Sequence, residues 1–310
     1  MKITLDWLGT ATFRLTLGDL VLFLDAYIDR LPTAPEVGMR AADVTKADFV
    51  LVGHSHFDHL AGAEIIAANT GARIIGSNES CRVMREKGVP EGQLLPSQGG
   101  ERHRLADGVT VRVFPSVHTC LWAARSDDTS EALIGETGLC EDDRIAAFAR
   151  QNPFTEVFEG QSEWARAALQ HFLTSTGSLL DGGALVYLIE TPAGSIFFQD
   201  SMGCWSGVLR EIKPDVALLA LVPGRSNHDG EPFQGSIAEF IALEVNALQP
   251  KTVIFGHHDN WLGDPSFEPL DLAPIKREIA SVRPGTVILE PGYRESTALL
   301  ETSGVQRRSL

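Results

Sequence analysis

This chain is short of basic charge: 26 lysines and arginines stand against 41 aspartates and glutamates, a formal net charge of −15. Binding along a phosphate backbone needs a basic face, so nucleic acid is excluded as the expected partner. Cysteine is scarce as well. Cys81, Cys120, Cys140 and Cys204 form no C-x-x-C spacing, which argues against a cysteine-held structural metal or a disulfide framework and fits free thiols in a reducing cytoplasm. No stretch approaches the roughly 18 apolar residues of a membrane span, and the opening MKITLDWLGTATFRL alternates apolar with polar residues instead of building the apolar core of a signal peptide. The expected location is therefore cytoplasmic, with no membrane partner. Short repeats and low-complexity segments are missing too. So are G-x-x-x-x-G-K-[ST], G-x-G-x-x-G and any nucleophile elbow around Ser178 or Ser201, which removes support for P-loop, dinucleotide and serine-hydrolase readings.

What is present is an ordinary globular composition, 44% hydrophobic over 310 residues and enough for a sizeable core. Period-two alternation and apolar runs predict strands over 2–7, 12–16, 21–25, 48–52, 73–76 and 109–114, then 184–190, 195–199, 216–220, 252–255, 286–289 and 297–301. Helical spacing predicts helices over 62–69, 78–87, 236–248 and 271–281. Between Thr119 and Asp181 the pattern becomes acidic and turn-rich, with helical spacing over 142–151 and 162–172, and reads as a mainly helical insertion that covers a surface. Hairpins followed by strand–helix alternation, given twice, predict an α/β fold of two mixed sheets packed face to face with helices outside.

The strongest chemical signal is His54-Ser55-His56-Phe57-Asp58-His59, directly after the apolar run DFVLV. Imidazole and carboxylate are the ligands taken by zinc, iron and manganese, and a loop at a strand end aims several such side chains at one cavity. Further ligands must come from elsewhere. His118 after VRVFPSV, Asp200 after SIFFQ and His257 after TVIFG each close an apolar strand.

These residues resemble the metallo-β-lactamase fold hydrolases across about positions 1–300. Asp25 in LFLDAYID is similar to that family's first motif, the His54–His59 run to its second, His118 to its third, Asp200 to its fourth and His257 to its fifth. The resemblance implies a single hydrolase domain over 1–310 with the four-layer αββα sandwich, and a helical cap at about 119–181. It also implies two divalent ions, zinc first with manganese and iron(II) as alternatives. His54, His56 and His118 would hold one ion, Asp58, His59 and His257 the other, and Asp200 would bridge them. A bridging hydroxide would then attack the substrate, with Asp58 orienting it or protonating the leaving group. An aspartate at position 200, where common dizinc β-lactamases carry cysteine, argues against antibiotic hydrolysis. The N-terminal hairpins look most like the ascorbate-6-phosphate lactonase branch, which implies a small-molecule lactone or ester as substrate and a small phosphodiester as the alternative.

The insertion is longer than the resemblance leads one to expect, and His257 is doubled by His258. His257 comes first after the strand-ending Gly256 and is assigned as ligand, which leaves His258 for substrate or for a residue behind the ligands. Arg225 and His228, in VPGRSNHDG, are candidates for the cavity rim, and Trp122, Trp164 and Trp205 for an apolar wall. The aromatic helices of the insertion also suit a homo-oligomer contact. From other functional classes, a di-iron redox protein and a non-catalytic metal-binding module remain as rivals.

Overall fold

The computed structural model describes residues 1–122, 126–135, 137–151, 162–224 and 226–302. Its strands, in chain order, are β1 Lys2–Trp7, β2 Phe13–Leu17, β3 Leu20–Leu24, β4 Phe49–Leu51, β5 Arg73–Gly76, β6 Leu94–Pro96, β7 Arg102–Ala106, β8 Val109–Pro115, β9 Leu185–Thr191, β10 Gly194–Gln199, β11 Gly203–Cys204, β12 Val216–Ala220, β13 Asn227–His228, β14 Glu231–Pro232, β15 Thr252–Gly256, β16 Val287–Leu289 and β17 Thr297–Glu301. One seven-stranded sheet runs β17-β1-β2-β3-β4-β5-β6, and a second runs β16-β15-β12-β10-β9-β8-β7. In the first, the β1–β2–β3 hairpins are antiparallel and β3 to β6 are parallel. The second has the same composition, with β7 to β10 antiparallel and β10, β12, β15 and β16 parallel. The two sheets face each other through Leu5, Leu15, Leu24, Leu51, Val111, Tyr187, Phe198, Leu218 and Ile254, alternate residues of strands with period two.

The outer faces carry the helices α1 Phe57–Leu60, α2 Ala63–Thr70, α3 Asn78–Glu86, α4 Glu141–Gln151, α5 Glu163–Thr174, α6 Ser206–Leu209, α7 Ile237–Leu248 and α8 Ala273–Val282. Ile66 and Met84 pack on Phe23, Val50 and Val52 of the first sheet, while Phe240, Ile241, Val245 and Ile275 pack on Phe197, Leu219 and Val253 of the second. This is the αββα sandwich. The central strands of both sheets are covered on both faces, which is why DFVLV and VALLA read as continuous apolar runs. Ser77 caps α3 by accepting from Ser80 N, and Ser236 forms a capping box with Glu239 on α7.

The structure departs from the sequence-based expectation in several places, among them the short helix α6 and a small three-stranded sheet β11-β13-β14. The run after His56 is a helical turn, α1, because Phe57 and Leu60 are buried and Leu60 N donates to His56 O at 3.0 Å. Strands β6 and β7 are additional; LLP is too short, and RHRLA too polar, to carry an alternation signal. Within 119–181 the described helices are α4 and α5, while Leu133 bridges to Gly235 ahead of them.

Candidate metal centre

The parallel strands of both sheets end at one edge of the sandwich, where loops leave side chains free to converge. Asp25 follows β3, His54 follows β4, His118 follows β8, Asp200 follows β10 and His257 follows β15. The loop after β4 is tied to the opposite sheet: Tyr187 Oη donates to Val52 O at 2.6 Å, Leu185 N to Gly53 O at 2.8 Å, and Ser55 N to Asp181 O at 2.9 Å. Gly53 lets the two sides approach, since a Cβ there would stand 2.1 Å from the Asp200 carboxylate. Asp25 and His257 have left-handed backbones, φ 54° and 66°. Such conformations persist in non-glycine residues when the surroundings hold them. Here Asp25 N donates to Leu51 O at 2.8 Å and His257 N to Thr10 O at 2.6 Å.

The seven ligand candidates form three overlapping groups: His54, His56 and His118; His54, His59 and Asp200; and Asp58, His59 and His257. The ligand atoms within each group lie within 4.8 Å of one another. His54 Nε2 and His56 Nδ1 are 3.1 Å apart, close to the separation of two nitrogens that share a tetrahedral zinc at about 2.0–2.1 Å each. His118 Nδ1 donates to Thr119 O at 2.9 Å, which leaves Nε2 as its ligating nitrogen. Asp200 Oδ2 is 2.7 Å from His54 Nδ1 and 3.3 Å from His59 Nδ1. Asp58 Oδ2 is 3.5 Å from His59 Nε2 and 3.3 Å from His257 Nε2. The donor set therefore fits divalent transition metals.

Electrostatics agree with the geometry. Burial holds the His54 and His56 imidazoles well below the usual histidine range and lowers His118, so all three keep the neutral form that ligates. Burial opposes charge on His59 too, but the carboxylates of Asp58, Asp25 and Asp200 outweigh it and raise the imidazole well above its ordinary value. Burial, then Asp200, raises Asp25 to about 7. Burial raises Asp58, and the His59 and His257 imidazoles more than reverse it. Three carboxylates and five imidazoles meet here, a donor set whose field suits a divalent cation.

Behind the ligands, Asp25 Oδ2 takes His59 Nδ1 at 2.7 Å while its Oδ1 accepts from Gly53 N at 2.9 Å. His258 points elsewhere and stacks on Trp7 at 5.0 Å. Trp122 packs under the Arg144 guanidinium, 5.0 Å from its ring, and His228 pairs with Phe233 and Asp229; neither lines the cavity beside the ligands. Arg225 lies outside the described residues. Sequence reasoning missed the support for the His257 loop. Asp259 accepts from Thr10 N at 3.1 Å and from Tyr293 Oη at 2.6 Å, and pairs with Arg30 at 2.8 Å. It missed Asn227 as well, whose Nδ2 donates to His118 O. Only the closeness of Asp259 to His257 in HHDNW hinted at any of this.

Fold and site together define the class: the chain has the metallo-β-lactamase fold. Residues 21–138 match the family model described as a Beta-lactamase superfamily domain. A curated relative, the UPF0173 metal-dependent hydrolase of Pyrobaculum islandicum, is 37% identical over 147 residues, 46% of this chain and 64% of that protein, so the chain spans less than two thirds of its length. Igni18, a metallo hydrolase from Ignicoccus hospitalis, shares the fold with a TM-score of 0.60 at 16% identity, covering 96% of this chain and 98% of its own. CmlA, a diiron β-hydroxylase from Streptomyces venezuelae, does so with a TM-score of 0.56 at 14% identity, over 96% of this chain and 54% of its own. Among the described residues no helix is long and apolar enough to cross a membrane.

Proposed function

We propose that this chain is a metal-dependent hydrolase that cleaves a small-molecule lactone or ester at a dinuclear centre, acting in the cytoplasm. The observation that carries the reading is the overlap of the three ligand groups: His54 joins the first to the second and His59 the second to the third, which supports two adjoining sites with Asp200 between them. His54, His56 and His118 would hold one ion, Asp58, His59 and His257 the other, with zinc first and manganese or iron(II) as alternatives. When bound, such a pair supplies a nucleophile at neutral pH and polarises the scissile carbonyl. The chain's own groups do the rest. Asp58, kept ionised between the His59 and His257 imidazoles, is placed to orient the attacking nucleophile, and Asp25 keeps His59 in one tautomer. Within the 119–181 segment, α5 acts as a cap: Trp164 Nε1 donates to Leu262 O at 3.0 Å, and His171 Nε2 meets Tyr27 Oη at 2.8 Å.

Elemental analysis of zinc- or manganese-loaded protein should approach two ions per chain, with turnover of simple lactones or aryl esters. A stoichiometry that never exceeds one overturns the dinuclear centre. Asp200→Ala should loosen both ions, whereas Asp58→Asn should retain the first and still lower kcat by about 100-fold or more. A small phosphodiester is the second substrate reading, because paired metals suit in-line displacement. The fold shared with CmlA favours one further test: iron-loaded protein that consumes oxygen and cleaves no ester would move this chain to di-iron redox chemistry.

A further inference from the structure

We propose that the substrate is an uncharged ester or lactone with an apolar aryl or alkyl body, and that the cavity turns anionic molecules away. The reaction rests on the hydrolase reading above; the substrate class rests on the cavity itself. The ligand groups open into a cavity of about 550 Å³, a size that encloses a small organic molecule. One wall is aromatic and starts at a ligand. Trp261 stands perpendicular to His257 at 5.6 Å, Phe57 lies 5.9 Å from Trp261, and Phe172 meets Phe57 edge to face at 5.2 Å. Leu262 and Trp164 continue this surface, joined by their hydrogen bond. Linked rings of this kind offer dispersion contact to a flat or alkyl group and no donor array for a charge.

Charge supplies the second argument. Apart from the ligands Asp58 and Asp200, the lining carries Asp127, Asp259, Asp264 and Glu268, and among the described residues it carries no lysine or arginine. Arg30 is paired with Asp259 and does not line the cavity. A phosphate or carboxylate held away from the scissile bond would lose water, find no lysine or arginine among the described lining residues and face these carboxylates. At separations of several ångströms in a site that partly excludes water, one such charge lowers kcat/KM by about tenfold or more.

The test compares two p-nitrophenyl esters of equal reach on the zinc-loaded full chain: the hexanoate, which is neutral, and the adipate monoester, which ends in a carboxylate. The hexanoate should show a kcat/KM at least about tenfold higher. The double variant Asp264→Asn, Glu268→Gln should narrow that ratio, and Trp261→Ala should raise KM for the hexanoate more than for the acetate. Equal or better turnover of the adipate ester overturns the proposal, as does a Trp261→Ala variant with an unchanged hexanoate-to-acetate KM ratio. Calorimetric binding of two uncleavable ketones, 1-phenylhexan-1-one and its ω-carboxylate analogue, separates the two readings. Preferential binding of the neutral ketone with no ester cleaved keeps the substrate class and overturns the hydrolase reading. Cleavage of both esters with equal ketone binding does the reverse.

Discussion

Gly53 carries no functional group, yet the site closes around it. A methyl at this position would meet the Asp200 carboxyl carbon and oxygens at 2.1–2.4 Å, and Asp200 belongs to the middle ligand group, with no room to retreat in a fully packed edge. Gly53→Ala is therefore expected to cost about 1–3 kcal/mol and to lower metal content, read by urea unfolding and elemental analysis. Gly92→Ala, where an added Cβ meets nothing within 4 Å, should change neither. Asp25 acts by another route, since it touches His59 and Gly53 and stays behind them. Asp25→Asn should weaken metal affinity by about 10–100-fold through loss of His59 orientation. A titration of chelated protein with zinc that leaves affinity unchanged would contradict this role.

The element that presents His257 is the loop after β15, and it is held by one buried ion pair. Arg30 and Asp259 side chains are only 4% and 8% exposed, and Thr10 links the pair to the ligand because its N–H reaches Asp259 while its carbonyl receives His257 N. Removing one partner strands a buried charge. Arg30→Met should destabilise by about 3–5 kcal/mol, and Arg30→Met combined with Asp259→Asn should recover much of that loss because no lone charge remains. Chemical denaturation of the single and double variants measures both. A second element, α7, brings Glu244 against Gln199, whose Nε2 donates to Glu244 Oε1 at 2.8 Å. Burial pushes the Glu244 carboxyl up to about 8 from 4.5. A carboxyl raised in the folded state makes the native protein hold the extra proton, so stability falls as pH rises from about 4.5 to about 8 and then levels off. Glu244→Gln keeps the acceptor and removes the charge. It should leave stability at pH 5 nearly unchanged and raise it by a few kcal/mol at pH 8; equal effects at both pH values would show that Glu244 does not titrate in this range.

Across the whole molecule, the site draws Asp200 and His257 from one sheet and Asp25 and His54 from the other, so an ion held there crosslinks the two halves of the sandwich. Ligands that bind only the folded state stabilise it by mass action. Zinc at about a thousandfold excess over its dissociation constant should raise unfolding free energy by roughly 4 kcal/mol per independent site. Thermal unfolding of chelated and reloaded protein checks this. A melting temperature that ignores the metal would remove the crosslink, whatever the activity.

The sequence by itself determined the parts whose signal is local. The alternation of ITLDW and FRLTL, the apolar DFVLV and VALLA runs and the capping serines of α3 and α7 specify strands, buried strands and helix starts within a few residues. The His54–His59 run declares metal chemistry because four of its six adjacent positions carry ligating side chains. Even here context decides detail, since burial of Phe57 and Leu60 turns part of that run into a helix. Only the tertiary structure decided what the run meets. His54 faces Asp200 across 146 positions, and Thr10 binds Asp259 across 249. Period two tells which face of a strand is buried and says nothing about which strand pairs with it, so the placement of β17 beside β1 and the gathering of five strand ends at one edge follow from packing two sheets into one core. Arg30, Tyr293 and Asn227 were illegible for the same reason. Each is an unremarkable polar residue in its own stretch, and acquires its role when a buried partner arrives from the far end of the chain.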